Sequence, residues 1–145
     1  MRIEAIGEYL KEILERLNNK YRNINADFLG IEINNYSLDK MPNAPIVENW
    51  IIPVKKKQDT FLFKSRNTYG NDVANNLKNI GFWEQFESII DNNNEKGILP
   101  NIDNIESIKC LNCGSVAVAD TKSCVMTIQL QVIYRTIEEE ENVSL

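Results

Sequence analysis

Three cysteines are the side chains in this sequence best suited to chemistry. Cys110 and Cys113 form a Cys-x-x-Cys pair, and Cys124 follows eleven residues later. Three thiolates could hold a metal ion if a carboxylate such as Asp120 completed the set, and a close thiol pair could act in redox chemistry. A structural zinc site normally uses four ligands in two close pairs, and the second pair is missing here. We therefore expect three reduced thiols, with no metal and no cofactor.

The other candidate catalytic groups are carboxylates in segments with helical spacing. Glu12 with Glu15, and Glu84 with Glu87, lie three residues apart, where two carboxylates could share acid and base roles. Such pairs more often line the solvated side of an amphipathic helix. The sequence has no histidine, which excludes Ser-His-Asp and Cys-His nucleophile arrangements. We expect no catalytic residues and a protein that is not an enzyme.

Length and charge place further bounds on the function. The 145 residues are the size of one domain, which we assign to residues 1–136, with an acidic tail at 137–145. The net charge of −5 and the acidic run Glu138–Glu141 argue against binding of nucleic acid through its phosphates. No run of about 18 apolar residues is present, and the N-terminus is too acidic for a signal peptide. We expect no membrane association and folding in the cytoplasm.

The first third of the chain predicts one helix and one strand. Apolar residues recur at three- and four-residue spacing from Ile3 to Leu17, which indicates an amphipathic helix. From Ala26 to Ile33 the apolar residues alternate, which predicts a strand. Gly30 inside this strand indicates a bulge or a close approach of another part of the backbone. Residues 34–49 hold two prolines and are expected to form an irregular connection.

A hairpin is predicted in the middle of the chain. The segments Trp50–Val54 and Thr60–Ser65 have strand composition, and the polar residues Lys55–Asp59 between them indicate a solvated turn. Pro53 lacks a backbone donor and therefore favours an edge position for the first strand.

The second half predicts another helix and a second pair of strands. Val73 to Ile90 has helical spacing, capped by Asn71 or Asp72, and the polar run Asp91–Asn94 should end the helix. Two strands follow, at about Ile105–Val116 and Lys122–Thr136. The last strand has the clearest alternation, with an apolar face made by Met126, Ile128, Leu130, Val132 and Tyr134.

Helix, strand, hairpin, helix, hairpin is therefore the expected order of elements. Because strands and helices do not alternate, a doubly wound parallel sheet is disfavoured. The fold class that we predict is α+β, with a mostly antiparallel sheet of four to five strands and two helices packed on it.

The second half also resembles a family of small tailed-phage proteins. The resemblance covers roughly residues 60 to 136 and consists of short hydrophobic and turn motifs, at Phe61–Arg66, Tyr69–Val73, Asn79–Glu84, Gly97–Pro100, Ile105–Ile108 and Gln129–Tyr134. Members of this family are called minor capsid proteins and lie among the head–tail genes of phages and prophages of Gram-positive hosts. In size and element order they are similar to tail terminator proteins.

The resemblance implies a structural virion protein. Such a protein would form a homo-oligomeric ring, commonly a hexamer, at the head-proximal end of the tail tube of a phage or a phage-tail-like particle. The ring would stop polymerisation of the tail tube protein and present a docking face to the head completion proteins of the neck. DNA would pass through its lumen without specific binding. Assembly is expected in the bacterial host cytoplasm, with a final location in the tail or neck of the virion.

Other functions remain open at this point. The same phage setting allows a head completion or adaptor protein of the neck, which would bind on the portal side and could be a monomer before assembly. A thiol or metal enzyme built on the three cysteines would contain stoichiometric zinc that the Cys110→Ser variant loses. A binding module for an unknown partner is the last alternative.

Candidate interface residues follow from the need of a ring subunit to contact its neighbours. The polar, uncharged face of the last strand supplies Thr127, Gln129 and Gln131. The polar ends of the predicted middle strands supply two loops that we expect to face the ring partner or the tube. Their candidate residues are Lys55, Lys56, Lys57, Arg66, Asn67 and Tyr69.

Overall fold

A computed structural model describes residues 2–17, 24–27, 29–30, 34–43, 46–49, 54–68, 73–120 and 122–137. The helices are α1 (Arg2–Arg16) and α2 (Val73–Lys96). The strands are β1 (Ile24–Ala26), β2 (Tyr36–Met41), β3 (Ile46–Asn49), β4 (Val54–Thr68), β5 (Ile105–Cys110), β6 (Ser115–Ala119) and β7 (Ser123–Ile137). The chain is α+β with two helices, as predicted, and neither described helix is long and apolar enough to cross a membrane.

One mixed sheet joins the strands, and its centre is the pair of long strands β4 and β7. These two run antiparallel over their whole length, from Val54 opposite Ile137 to Thr68 opposite Ser123. Strands β2 and β3 pair with the other edge of β4, and β5 and β6 pair with the other edge of β7. Among the described strands, only β1 and β2 pair in parallel. The seven described strands exceed the predicted four to five.

Both helices pack on one face of this sheet, which we call the inner face. The alternation predicted for the last strand is confirmed, because its five apolar residues are all buried here. Opposite them on β4 lie Phe61 and Phe63, paired with Leu130 and Ile128. From α1 the core receives Ile6, Tyr9, Leu10, Ile13 and Leu14, and from α2 it receives Trp83, Phe86 and Ile90.

Phe63 is at the centre of an aromatic cluster that joins the sheet to α2. Its ring stacks on Tyr36, with 5.3 Å between centroids, and on Phe86, with 5.6 Å between centroids. The Trp83 ring meets it edge-on at 5.9 Å. Offset and edge-on aromatic pairs of this kind add stability beyond the apolar area they bury. The cluster therefore fixes α2 against β2 and β4.

Helix α2 continues past the point where the asparagine run was expected to end it. The side chain of Asn93 donates to the hydroxyl of Tyr9 at 3.0 Å, and Asn94 exchanges two hydrogen bonds with the backbone of Ile108. The helix ends at Gly97, whose φ is +72°. The backbone N–H of Ile98 then bonds the carbonyl of Asn93 at 2.8 Å, which is the Schellman arrangement. Tertiary hydrogen bonds thus overrode the low helix propensity of asparagine.

The prediction for residues 26–49 is wrong in its strand positions. Leu29 and Gly30 lie outside any strand, and the connection assigned to residues 34–49 contains β2 and β3. Gly30 is close to a side chain and not to another part of the backbone as predicted, because a Cβ there would lie 2.6 Å from the Asn35 side chain. Residues 31–33 and 50–53 and the predicted helix cap at 71–72 lie outside the described residues.

The strand predicted for residues 105–116 is divided in two. Strand β5 pairs with β7 around Leu130, and β6 pairs with β7 around Val125. Residues 111–114 break the strand between them. Gly114 in this break lies so close to α2 that a Cβ would be 2.5 Å from the indole of Trp83. A glycine is therefore required where the loop crosses the helix.

Candidate interaction surface

The face of the sheet turned away from the helices, which we call the outer face, is the first candidate site. Its central residues are those of β4 and β7 that alternate with the core residues, namely Lys56, Gln58, Thr60, Leu62, Lys64, Arg66, Val125, Thr127, Gln129, Gln131, Ile133 and Arg135. Arg135 is exposed, Thr60 is buried and accepts a hydrogen bond from Asn43, and the others are half-buried. None of them belongs to the hydrophobic core cluster. From Lys56 to Arg66 this face is about 33 Å long, at roughly 3.3 Å per strand residue.

The outer face is positively charged, unlike the chain as a whole. Among the described residues of β2, β4, β5 and β7, five cationic side chains point to this face and two carboxylates oppose them. Strand β3 adds one acidic residue, Glu48, in register with Lys56, so the excess of positive charge is small. Lys64 pairs with Asp39 at 2.5 Å, while Glu106 bonds Arg135 at 3.1 Å and Lys56 at 3.4 Å. The remaining cations are Arg66 and Lys109. This surface therefore attracts anionic partners.

Five of the nine predicted interface residues share this face. Thr127, Gln129 and Gln131 lie along β7, as the alternation predicted, and the Gln131 amide donates to Gln58 at 2.7 Å. Lys56 and Arg66 lie on the same face, near opposite ends of β4. The sequence alone could not predict that these residues share a face, because β4 and β7 are far apart in the chain and pair only in the folded structure.

The prediction that Lys55, Lys56 and Lys57 form a turn is wrong. All three belong to β4, where they pair with both β3 and β7. Because neighbouring strand residues point to opposite faces, Lys55 and Lys57 lie on the inner side and Lys56 on the outer side. Their long aliphatic stems allow lysines to lie on a half-buried sheet while the ammonium groups reach a counter-ion or water.

The second predicted loop, from Arg66 to Asn71, is also wrong in its first part. Arg66 and Asn67 are still in β4, with Arg66 on the outer face and Asn67 on the inner side. Tyr69 lies outside the described residues. The Arg66 side chain donates to the carbonyl of Gly30 at 2.8 Å, so the chain near Gly30 reaches over this end of β4.

The three cysteines do not form one site. Cys110 pairs with Leu130 and Cys124 pairs with Ala119, so that six residues of β7, about 20 Å, separate their positions. Among the described residues, no group of three or more cysteine and carboxylate side chains is placed to hold a metal ion. The metal set of three thiolates with Asp120 is therefore not assembled. Asp120 instead accepts hydrogen bonds from the backbone of Lys122 and Ser123, which lower the pKa of its carboxyl.

Cys110 and Cys113 face carboxylates of α2. Burial raises the pKa of Cys110 to about 12, and the negative charges of Glu87 and Asp91 contribute to this shift. Burial also raises the pKa of Glu87, although a hydrogen bond with Cys113 opposes the increase. A redox Cys-x-x-Cys site requires a lowered thiol pKa. The arrangement around Cys110 has the opposite effect and gives an inert thiol.

A buried carboxylate on β4, beside the start of α1, could not be recognised from the sequence. Asp59 lies on the inner face, and its side chain is only 5% exposed. Arg2 bonds it at 2.5 Å and Lys40 at 3.2 Å, and the Arg2 guanidinium also lies 4.8 Å from the centre of the Tyr134 ring. The hydrogen bond to Asp59 raises the pKa of Arg2. These contacts join α1 to three strands, so they are structural in character.

Helix α1 has an acidic side, which we call the acidic ridge. Glu4, Glu8 and Glu12 recur every four residues, and all three are exposed. They line a cleft of about 400 Å³ whose opposite wall is formed by Leu99–Asn101. Like charges at this spacing repel, by about 0.2–0.5 kcal/mol per pair, and the exposed cations Lys11 and Arg16 on the same helix offset part of this repulsion. The ridge therefore favours the approach of cations.

No protein-family model matches the chain, and no curated protein is similar enough to count as a match.

Proposed function

We propose that this protein caps the head-proximal end of a tail tube as a ring. The parent particle is a tailed phage, a prophage-encoded virion or a phage-tail-like particle. The ring, commonly a hexamer, ends polymerisation of the tube protein and offers a docking face to the neck. In this proposal the protein is structural, acts without a cofactor and has no catalytic residues.

The motifs that resemble the phage family lie on the elements that build the sheet and its cover. Phe61–Arg66 and Gln129–Tyr134 form neighbouring parts of the central strands β4 and β7. Asn79–Glu84 belongs to α2 and contains Trp83, whose ring contacts Phe63. Gly97–Pro100 contains the turn that ends α2. Residues 69–72 of another motif lie outside the described residues, and the motifs named above belong to neighbouring elements of one fold.

The outer face is the observation that best supports an assembly role. It is broad, polar and outside the hydrophobic core, and it contains five of the predicted interface residues. Ring subunits need surfaces of this kind on which neighbouring proteins can pack. The environment of Cys110 is consistent with the non-catalytic part of the proposal, because burial raises the pKa of this thiol to about 12 and makes it a poor nucleophile.

A head completion or adaptor protein of the neck is the second candidate. The same outer face would serve there, but it would contact portal-side proteins and not a tube end. Such a protein could remain a monomer in the presence of tube protein, so the two candidates differ in a measurable property.

The test is the mass of the purified protein in solution, alone and with its cognate tube protein. Size exclusion coupled to light scattering should give a ring of several subunits, with six times the 16.7 kDa of one chain as the expected value. A protein that stays monomeric and does not bind the tube would contradict the terminator function. If it then binds portal-side proteins, the neck adaptor is favoured.

A further inference from the structure

The molecule has two surfaces of opposite charge on different elements. The outer face has an excess of cationic side chains, while the acidic ridge of α1 has three exposed carboxylates in a row. Helix α1 packs on the inner face, so the ridge and the outer face lie on different sides of the sheet. A net charge of −5 makes most encounters between two copies repulsive. An encounter of ridge with outer face is the orientation in which the charges attract.

We propose that the outer face of the sheet binds the acidic ridge of α1 on a second copy of this chain. Because the two surfaces are different patches, the contact is head-to-tail, and contacts of this type close into rings when the rotation between subunits allows it. The inference names the interface of the proposed ring and in that respect rests on the proposed function.

The dimensions and charges of the two surfaces match. From Glu4 to Glu12 the ridge rises by eight residue steps, about 12 Å at 1.5 Å per step, and fits within the length of the outer face. Lys109 and Arg135 are the cations of that face in exposed positions, and they lie on the adjacent strands β5 and β7. Cations placed beside the ridge would also relieve the repulsion among Glu4, Glu8 and Glu12.

A nucleic acid is the other anionic partner that a basic face could bind. The charge of the rest of the chain argues against it, since Glu138–Glu141 follows β7 in the sequence and adds four negative charges. Proteins that bind nucleic-acid phosphates usually cluster Lys and Arg side chains without a neighbouring run of acidic residues.

The experiment uses two reversed variants of the full chain and two controls of equal charge change. The ridge variant is Glu8→Lys with Glu12→Lys, and its control is Glu84→Lys with Glu95→Lys on α2. The face variant is Lys109→Glu with Arg135→Glu, and its control is Lys78→Glu with Lys96→Glu on α2. All eight positions are exposed, but Arg135→Glu also removes the ion pair with Glu106, so far-UV circular dichroism and the melting temperature check that each variant keeps the fold.

Sedimentation velocity measures self-association of each protein and of mixtures. Each reversed variant alone should associate at least about tenfold more weakly than the original protein, while the two controls should not change. An equimolar mixture of the ridge and face variants should regain association, because every contact then pairs opposite charges. Restored association supports the inference. A mixture that stays dissociated, or controls that weaken association equally, would overturn it.

Two further results separate this inference from the proposed function. If the mixture does not associate but the original protein still forms a ring on its tube, the interface is wrong and the terminator function stands. If the mixture associates but the protein never caps a tube, the interface stands and the function is wrong. Tight binding of a short DNA duplex at physiological salt, lost in the face variant, would make nucleic acid the occupant and overturn the inference.

Discussion

Individual residues in this protein differ sharply in their chemical environment. The thiols of Cys110 and Cys113, which are close in sequence, are an example. Cys110 is half-buried beside Glu87 and Asp91, whereas Cys113 is exposed in the loop after β5. A thiol reacts as its thiolate, so the raised pKa of Cys110 keeps it unreactive at neutral pH. This contrast gives a direct chemical test of the local structure.

We expect iodoacetamide at pH 8 to modify Cys113 faster than Cys110, on the order of a hundredfold. The physical reasons are the exposure of Cys113 and the pKa of about 12 for Cys110. Timed alkylation followed by peptide mass spectrometry measures both rates. In the Cys113→Ser variant Cys110 should remain slow. Equal alkylation rates at Cys110 and Cys113 would contradict the packing of Cys110 against α2.

Asp59 permits a second test at the residue scale. Replacing Asp59 with Asn keeps the volume but removes the charge that pairs with Arg2 and Lys40. Because the carboxylate is buried and both cations are partly exposed, we expect a loss of about 1–3 kcal/mol in the free energy of unfolding. Urea denaturation measures it. The exposed Asp103→Asn is the control and should change stability little, and an equally small change in Asp59→Asn would contradict the network.

At the scale of elements, the contact between α2 and β5 depends on one asparagine. Asn94 accepts a hydrogen bond from the backbone N–H of Ile108 at 3.0 Å and donates to its carbonyl. The Asn94→Ala variant leaves both groups without this partner, and we expect a cost of about 1–3 kcal/mol. The exposed neighbour Asn92→Ala is the matched control, because it changes the helix in the same way without touching β5.

Denaturation midpoints of the two variants give the comparison, and amide exchange of Ile108 reports the same contact locally. If Asn92→Ala and Asn94→Ala were equally stable, helix propensity alone would explain the effect. The role of Asn94 in joining α2 to the sheet would then be refuted.

Two glycine-to-alanine variants test how the loop between β5 and β6 crosses α2. The Gly114→Ala variant places a Cβ 2.5 Å from the Trp83 side chain, so we expect a destabilisation of about 1–3 kcal/mol. The control is Gly81→Ala on α2, where nothing lies within 4 Å. That change should stabilise the helix by up to about 1 kcal/mol. Opposite signs in thermal denaturation support the crossing, and a neutral Gly114→Ala would contradict it.

The elements that could be predicted from sequence are those whose two faces differ in polarity. Helix α1 and strand β7 have this property along their whole length, because one side of each is buried and the other is not. Strand β2 was not predicted because Ser37 is buried together with Tyr36 and Leu38. Buried and exposed residues therefore do not alternate along this part of the strand. The start of β4 was not predicted as a strand because its inner positions hold the charged residues Lys55, Lys57 and Asp59 and show no apolar alternation.

The candidate site was predictable only in part for the same reason. The polar face of β7 follows from local alternation, so Thr127, Gln129 and Gln131 could be placed together. Their neighbours Lys56 and Arg66 come from β4, and only the long-range register brings them to this face. Asp59 and its cations are likewise distant in sequence. No local pattern contains that information.

At the scale of the whole molecule, the part of the chain that the structure describes forms a sheet with a covered inner face and an outer face, and its charges are distributed unevenly between them. Two helices pack on the inner face of the sheet, while the outer face remains outside the core and is basic. The acidic ridge lies on the covering helix α1. A subunit with two different complementary surfaces is suited to a head-to-tail assembly. This is the structural basis of the proposed ring.

The most direct test of the terminator function is the length of tail tubes assembled in vitro. Tube protein is allowed to polymerise with and without this protein, and lengths are measured by negative-stain electron microscopy. We predict that small amounts of the protein stop elongation, shorten the tubes as its concentration rises, and produce a ring-shaped cap at one end. Tubes that grow to the same length, with bare ends, would contradict the proposed function.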